Sequence, residues 1–503
     1  MRSDSPTHPP AESSNKSSDL DASFLSNIAW SAAAKWSAQG AAWLSTIIVA
    51  RLLTPEDFGL MGMAALFIGV VTMLTEMGVG LSVLVLRELT EEQLAQLNSV
   101  ALLMGVVGFA ASMVAAQPIA SFFNAPKVSG IVRVLAATFV LGGLRSIPLA
   151  LLQRTLRFKR VAAIETIASL ASAVTVASLA IAGFGYWALV LGQLAQVAAS
   201  AILVVASKPT SFRRPRWEAL RRALGFSKTI VVGNSAWYVY SNADFLVAGR
   251  LLGTTALGIY SFGWNIITVA LDKVSTLVNA VTPAYFSALQ TDRKGLRRML
   301  LGITEVLALL IFPATAGIAL VASDLVPLVF GAKWAGAVPV IQLLAVFNAM
   351  RMLRPVVNNV LINIGEERFT MWVGVCSAVI FPVGFLLASR FGPVGIAAAW
   401  LALYPTTSAA IYWRLFRSGV ASGSDYWGAI SPAASATAIM ILAVGFARLA
   451  LSHSPPVWRL AAAVALGVTV YACTLWFGYR SRVERFVRIF AQVRRGARVA
   501  EKA

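Results

Sequence analysis

Long apolar stretches, separated by short polar or glycine- and proline-containing breaks, run through the chain from residue 28 to residue 478. Fourteen of them approach the roughly 20 apolar residues that a helix needs to cross a bilayer. They lie at 28–50, 58–80, 98–116, 128–150, 161–183, 186–206, 228–250, 257–281, 299–322, 338–362, 370–388, 394–416, 427–451 and 457–478. The breaks at 183–185, 391–393 and 454–456 are turn chemistry too short to hold a domain. The pattern predicts an all-α polytopic membrane protein of about fourteen transmembrane helices, with no inserted soluble domain. Residues 1–27 are rich in Ser, Pro, Asp and Asn and read as a disordered tail.

Composition agrees, since 58% of the 503 residues are apolar and only 13% are charged. A disordered chain, a coiled coil and a disulfide scaffold are excluded by these proportions. The two cysteines, Cys376 and Cys473, lie inside apolar runs, and the two histidines, His8 and His453, fall in the tail and in a loop. A metal site or a histidine base inside the membrane is therefore not expected, and neither is a cofactor. The net charge of +20 gains meaning from its position. Of the 42 Lys and Arg residues, 29 fall on one side of the predicted spans, eight on the other and five inside them. By the positive-inside rule both termini are cytoplasmic, and nucleic acid is not needed to explain the charge. The basic, apolar-alternating segment at 211–228 reads as an amphipathic helix on the membrane surface.

A repeat divides the chain. The first span ends in RLLTPEDFGLM from Arg51 and the seventh in RLLGTTALGIY from Arg250, so that Arg51 and Arg250, and Gly59 and Gly258, recur at an offset of 199 residues. Each arginine sits where it complements the negative end of a helix. Thr54, Pro55 and Asp57 supply a cap and first turn in one copy, and Gly253 a stop in the other. Together with PLALLQRTLRFKR at the end of the fourth span, these features resemble the Wzx-type polysaccharide flippases of the multidrug/oligosaccharidyl-lipid/polysaccharide exporter superfamily. The resemblance implies two six-helix lobes, 28–206 and 228–416, around a central cavity. A linker at 207–227, two extra helices within 427–478 and a basic tail at 479–503 complete the chain. It also implies a non-enzymatic function: moving an undecaprenyl-diphosphate-linked oligosaccharide from the cytoplasmic to the periplasmic leaflet by alternating access, for exopolysaccharide, capsule or lipopolysaccharide synthesis. Membrane lipids, a polysaccharide polymerase and export machinery are the partners implied.

Ionisable residues at span depth cost roughly 2.5 to 3.5 kcal/mol each, so those present need partners or water. Lys35 and Gln39 share a face of the first span, and Arg351, Arg354 and Asn358 share one of the tenth with Asn348. The eighth span offers Asn265, Asp272 and Lys273. These residues form the expected substrate set, because Lys and Arg suit diphosphate oxygens and amides suit sugars. Asn234, Trp237, Tyr238 and Asn242 of the seventh span are expected either to contact sugar or to pack between helices. Asp244 and Glu76 are candidates for coupling to an ion gradient. A multidrug or cation antiporter would favour carboxylates over these deep cations. A membrane polymerase or ligase would show a large periplasmic loop, which this pattern lacks.

Overall fold

The computed structural model describes residues 45–85, 89–155, 157–216, 238, 241–288, 292–480 and 482; over 74–85 and 270–288 it describes the backbone and few side chains. Every regular element among the described residues is helical. In chain order these are α1 (45–52), α2 (Pro55–Val85), α3 (Glu91–Phe122), α4 (Lys127–Leu135), α5 (Ala137–Arg154), α6 (Phe158–Ile181) and α7 (Tyr186–Ser207). There follow α8 (Ala243–Val247), prolonged by a wider turn to Leu252, α9 (Gly253–Ala288), α10 (Arg293–Leu325), α11 (Ala337–Arg351) and α12 (Arg354–Asn363). The last four are α13 (Glu367–Ala388), α14 (Gly392–Arg417), α15 (Gly423–Ala450) and α16 (Pro456–Gly478). Among the described residues eleven stretches are long and apolar enough to cross a membrane, and one of them, Glu367–Arg417, is the pair α13 and α14 joined at Gly392. Twelve of the expected spans thus fall on described helices. The first is described only from residue 45 and the seventh only at 238 and from 241.

Several expectations are corrected. The fourth span is two helices, α4 and α5, bent at Ala136. The tenth is broken at Met352 and Leu353, and α12 restarts with Pro355 in its first turn. Proline has no N–H to give the carbonyl four residues back, and the Arg351 carbonyl so released accepts from the Tyr404 hydroxyl at 3.4 Å. Of the amphipathic segment expected at 211–228 only 211–216 is described, without helix, and 217–228 lies outside the described residues. Pro209 and Pro215 disfavour a helix over 211–216, and the strand of chain between them is pinned to α3: Arg213 N–H donates to Ala95 O and Ser99 Oγ, and Asn98 Nδ2 to Ser211 O.

Successive helices alternate between two ends of the molecule, one holding Arg51 and the other Thr90. Helices α2–α7 pack among themselves, as do α9–α14, while α15 and α16 pack on α10. Ion pairs fix that last hairpin at both ends: Arg448 and Arg459 hold Asp324 (2.8 and 2.6 Å), and Arg482 holds Glu305 (2.9 Å) at the far end.

The two bundles meet at the Arg51 end, where the sequence repeat becomes a reciprocal contact between α2 and α9. A Cβ added at Gly59 would lie 1.8 Å from Thr254 O, and one at Gly258 would lie 1.7 Å from Pro55 O. Residues 55 and 254 are themselves related by the offset of 199, so the crossing is its own counterpart across the pseudo-symmetry. Only glycine permits backbones this close, and such approaches are a common way for helices to associate in lipid. The capping expected at α2 is present, with Thr54 and Asp57 bonded to each other (2.8 Å) and Asp57 Oδ1 accepting from Tyr186 N–H.

The repeat arginines also cross between bundles instead of serving their own helix ends. Arg51 donates to the carbonyls of Leu328 and Val329 (2.6 and 2.7 Å), which terminate the helical run after α10. Its own carbonyl accepts from Lys333 Nζ (2.7 Å), and that of Ala50 from Trp334 Nε1 (2.7 Å). Burial holds the Lys333 ammonium below its ordinary pKa, against the pull of Asp57. Arg250 lies over the ring of Phe122, 5.4 Å from its centroid. Phe122 and Val329 precede equivalent corners, Phe123-Asn124 and Phe330-Gly331, whose second residues both take positive φ (52° and 103°). Each arginine therefore grips the corresponding segment of the opposite bundle.

Candidate functional site

The break in the tenth span organises the polar interior of the C-terminal bundle. Arg351 ends α11 and Arg354 begins α12, and both guanidinium groups rest on aromatic faces. Arg351 lies 5.3 Å from the centroid of Trp264, and Arg354 lies 5.4 Å from that of Tyr404. Arg351 also donates to Asn348 Oδ1 (3.3 Å) and Arg354 to Thr407 Oγ1 (3.4 Å). Among the described residues neither forms an ion pair, unlike Arg414, which holds Glu366 at 2.7 Å. Arg354 Nε and Asn358 Oδ1 are buried with no hydrogen-bond partner. Two half-buried cations without a carboxylate leave uncompensated positive charge, and the aromatic faces offset part of its desolvation. An anion with several acceptor oxygens matches such a place.

Asp244 has a different setting. It is fully buried, and its Oδ2 accepts from the Tyr260 hydroxyl (2.5 Å) and from Trp400 Nε1 (2.9 Å). Its Oδ1 has no partner. Around this group Trp264, Phe347, Phe381 and Trp400 are in ring contact, with Phe347 and Trp400 stacked at 4.8 Å. The sequence gives Asp244 its depth but offers no hint of Tyr260 and Trp400, which lie 16 and 156 residues away. One signal was legible: Trp400, Tyr404, Thr407 and Ser408 share the helical stripe of α14 that supports both arginines.

The other expected site residues divide clearly. Tyr238 sends its hydroxyl across to Leu66 O on α2 (3.0 Å), a packing contact between bundles. Asn242 donates to Tyr238 O (2.9 Å) within its own turn. Asn265 is exposed on α9, one residue from Trp264. Asp272 and Lys273 on α9 and Glu76 on α2 have a described backbone, with side chains outside the description. Lys35, Gln39, Asn234 and Trp237 lie outside the described residues. The structure thus brings together Arg351, Arg354 and Asn358, and places Asp244 in the aromatic cluster beside them.

Comparison with known proteins gives this geometry a context. The chain is 26% identical over 469 residues to the succinoglycan biosynthesis transport protein ExoT of Rhizobium meliloti, covering 92% of this chain and 94% of that one. It is 25% identical over 393 residues to the lipopolysaccharide biosynthesis protein WzxC of Escherichia coli, covering 75% and 77%. Among solved structures it shares the fold of the lipid II flippase MurJ in an inward closed conformation, with a TM-score of 0.72 and 11% identity over 90% of this chain and 99% of that one. Residues 48–339 match the model of a family described as polysaccharide biosynthesis protein, a segment that takes in the reciprocal glycines, both repeat arginines, and Asp244 with its partner Tyr260. With more than half of its length so matched, this multi-pass membrane chain belongs to the polysaccharide biosynthesis protein family.

Proposed function

We propose that this protein is a flippase that carries an undecaprenyl-diphosphate-linked oligosaccharide from the cytoplasmic to the periplasmic leaflet by alternating access, without covalent chemistry. The observation that carries the proposal is the pair Arg351 and Arg354, lying over Trp264 and Tyr404 with no carboxylate paired to them among the described residues. A diphosphate leaving headgroup water would exchange hydration for charge-assisted hydrogen bonds there. Asn358, and Lys35, Gln39, Asn265, Asp272 and Lys273 on neighbouring spans, are proposed to complete the site.

In the proposed orientation both termini and the Thr90 end are cytoplasmic, in a bacterial inner membrane. The Arg51 end is then the periplasmic gate, closed here by the Gly59–Gly258 crossing and by the contacts of Arg51, Lys333 and Trp334. The named relatives and the shared fold support an exporter of lipid-linked sugars, with a polymerase and export machinery consuming the product. A multidrug or cation antiporter is less well supported, because the deep basic residues Lys35, Lys273, Arg351 and Arg354 outnumber the deep carboxylates Asp244 and Asp272. Asp244 and Glu76 remain the proposed coupling groups.

The test is a flipping assay in proteoliposomes with the lipid-linked repeat unit extracted from producing cells. Wild type is expected to expose the lipid on the far leaflet and Arg351→Gln to do so at least tenfold more slowly. A wild type indistinguishable from protein-free vesicles refutes the proposal.

A further inference from the structure

The N-terminal bundle holds a second polar place that the arginine pair does not explain. One stripe of α7 and one of α6, together with α2 and α5, wall a cavity of about 510 Å³. Its polar lining is Arg145, Glu165, Ser172, Gln193, Gln196 and Ser200. Along α7 the lining runs from Leu189 to Ser200, which at 1.5 Å per residue is a groove about 16 Å long, parallel to the helices. Arg145 gives one N–H to Ser200 Oγ (2.9 Å). Among the described residues Glu165, Ser172, Gln193 and Gln196 have no hydrogen-bond partner. Within a bilayer, uncommitted amides and carboxylates are costly. Three of them, with the Ser172 hydroxyl, on two adjacent span faces call for a polar guest.

The chemistry of the guest follows by comparison with Arg351 and Arg354. There two guanidinium groups have no carboxylate paired to them among the described residues; here a guanidinium and a carboxylate, Arg145 and Glu165, both line the groove. Glu165 disfavours a phosphate and Arg145 a lone cation, while an acyl chain could meet Met61, Val176, Leu189 and Val197 but would leave the polar groups between them unpaired. A neutral guest that both donates and accepts at many points remains, and carbohydrate hydroxyls do so, matching Gln amides and Ser hydroxyls atom for atom. We infer that this groove is a carbohydrate-binding subsite, in which the N-terminal bundle holds the sugars while the C-terminal bundle holds the diphosphate. The inference rests on the flippase proposal and deepens it.

The experiment compares two probes in proteoliposomes: the complete lipid-linked repeat unit extracted from producing cells, and the same carrier trimmed to its first sugar. The double variant Gln193→Leu/Gln196→Leu, at matched purified amounts, is expected to flip the complete unit about tenfold more slowly than wild type, the loss of roughly one good hydrogen-bonded contact, and the trimmed carrier within twofold of it. Glu165→Gln, which alters a solvent-accessible side chain, is expected to show the same bias at about threefold and carries the test alone if the double variant does not fold. Equal loss on both probes, or no loss on either, overturns the inference. A wild type that flips neither probe overturns the flippase proposal itself, and this subsite with it.

Discussion

The reciprocal glycine crossing makes a sharp prediction for Gly59→Ala. The new methyl carbon would sit 1.8 Å from Thr254 O and 2.6 Å from its carbonyl carbon, where ordinary carbon-to-oxygen contacts are about 3.3 Å or more. Both neighbours are backbone, so no side chain can swing away, and α2 and α9 must part by roughly 1.5 Å to restore contact distance. Overpacking of this kind costs about 1 to 3 kcal/mol. If the crossing exists only while the Arg51 end is closed, the cost falls on that state alone, and 3 kcal/mol moves the equilibrium toward the open state by more than a hundredfold. Gly62→Ala on the same helix is the control, because its Cβ would meet the Leu257 side chain at 3.5 Å (Cδ2) and 3.7 Å (Cγ), both ordinary contacts. Spin labels at Leu52→Cys and Ala335→Cys, both exposed and on opposite bundles, report the separation once Cys376 and Cys473 are replaced by Ser. Gly59→Ala is expected to add a longer distance population and to lose export at normal membrane abundance, and Gly62→Ala to resemble wild type. A Gly59→Ala protein with the wild-type distance distribution and normal export would refute the gate.

Three further outcomes are expected. Arg354→Gln, Lys35→Gln and Lys273→Gln should each strongly reduce polysaccharide export at unchanged abundance, while Arg351→Lys, which keeps charge but loses the planar stack on Trp264, should retain part of it; export rates in cells decide the matter. Reporter fusions at Ala503 and after Arg216 should report cytoplasm and one at His453 periplasm, and a periplasmic signal from either of the first two would reverse the orientation. Asp324→Asn removes the partner of Arg448 and Arg459 together and should cost about 3 kcal/mol, lowering the melting temperature of the detergent-solubilised protein by a few degrees without changing its flipping rate per folded molecule.

What the sequence by itself determined follows from the bilayer as solvent. Backbone groups in hydrocarbon must be paired within each span, so apolar length alone predicts helices, and twelve of the fourteen expected stretches fall on described ones. The offset between Arg51 and Arg250 likewise revealed a duplication. Local chemistry was also legible where the partner lay within one turn, as in the Thr54 and Asp57 cap.

The rest depended on contacts between residues far apart in the chain, which no periodicity records. Only the fold shows that Gly59 meets the carbonyl of Thr254 and Gly258 that of Pro55, or that Arg51 reaches carbonyls nearly 280 residues on. Proline at 355 was visible, yet its consequence, a broken span that presents two arginines to Trp264 and Tyr404, required the helices that supply those rings. The environment of Asp244 was equally hidden, since a carboxylate on one span acquires its character from a tyrosine and a tryptophan on two others. In a membrane every span is apolar along most of its length, so hydropathy fixes that a helix crosses while leaving open which faces meet; close packing of particular side chains and backbone atoms makes that choice.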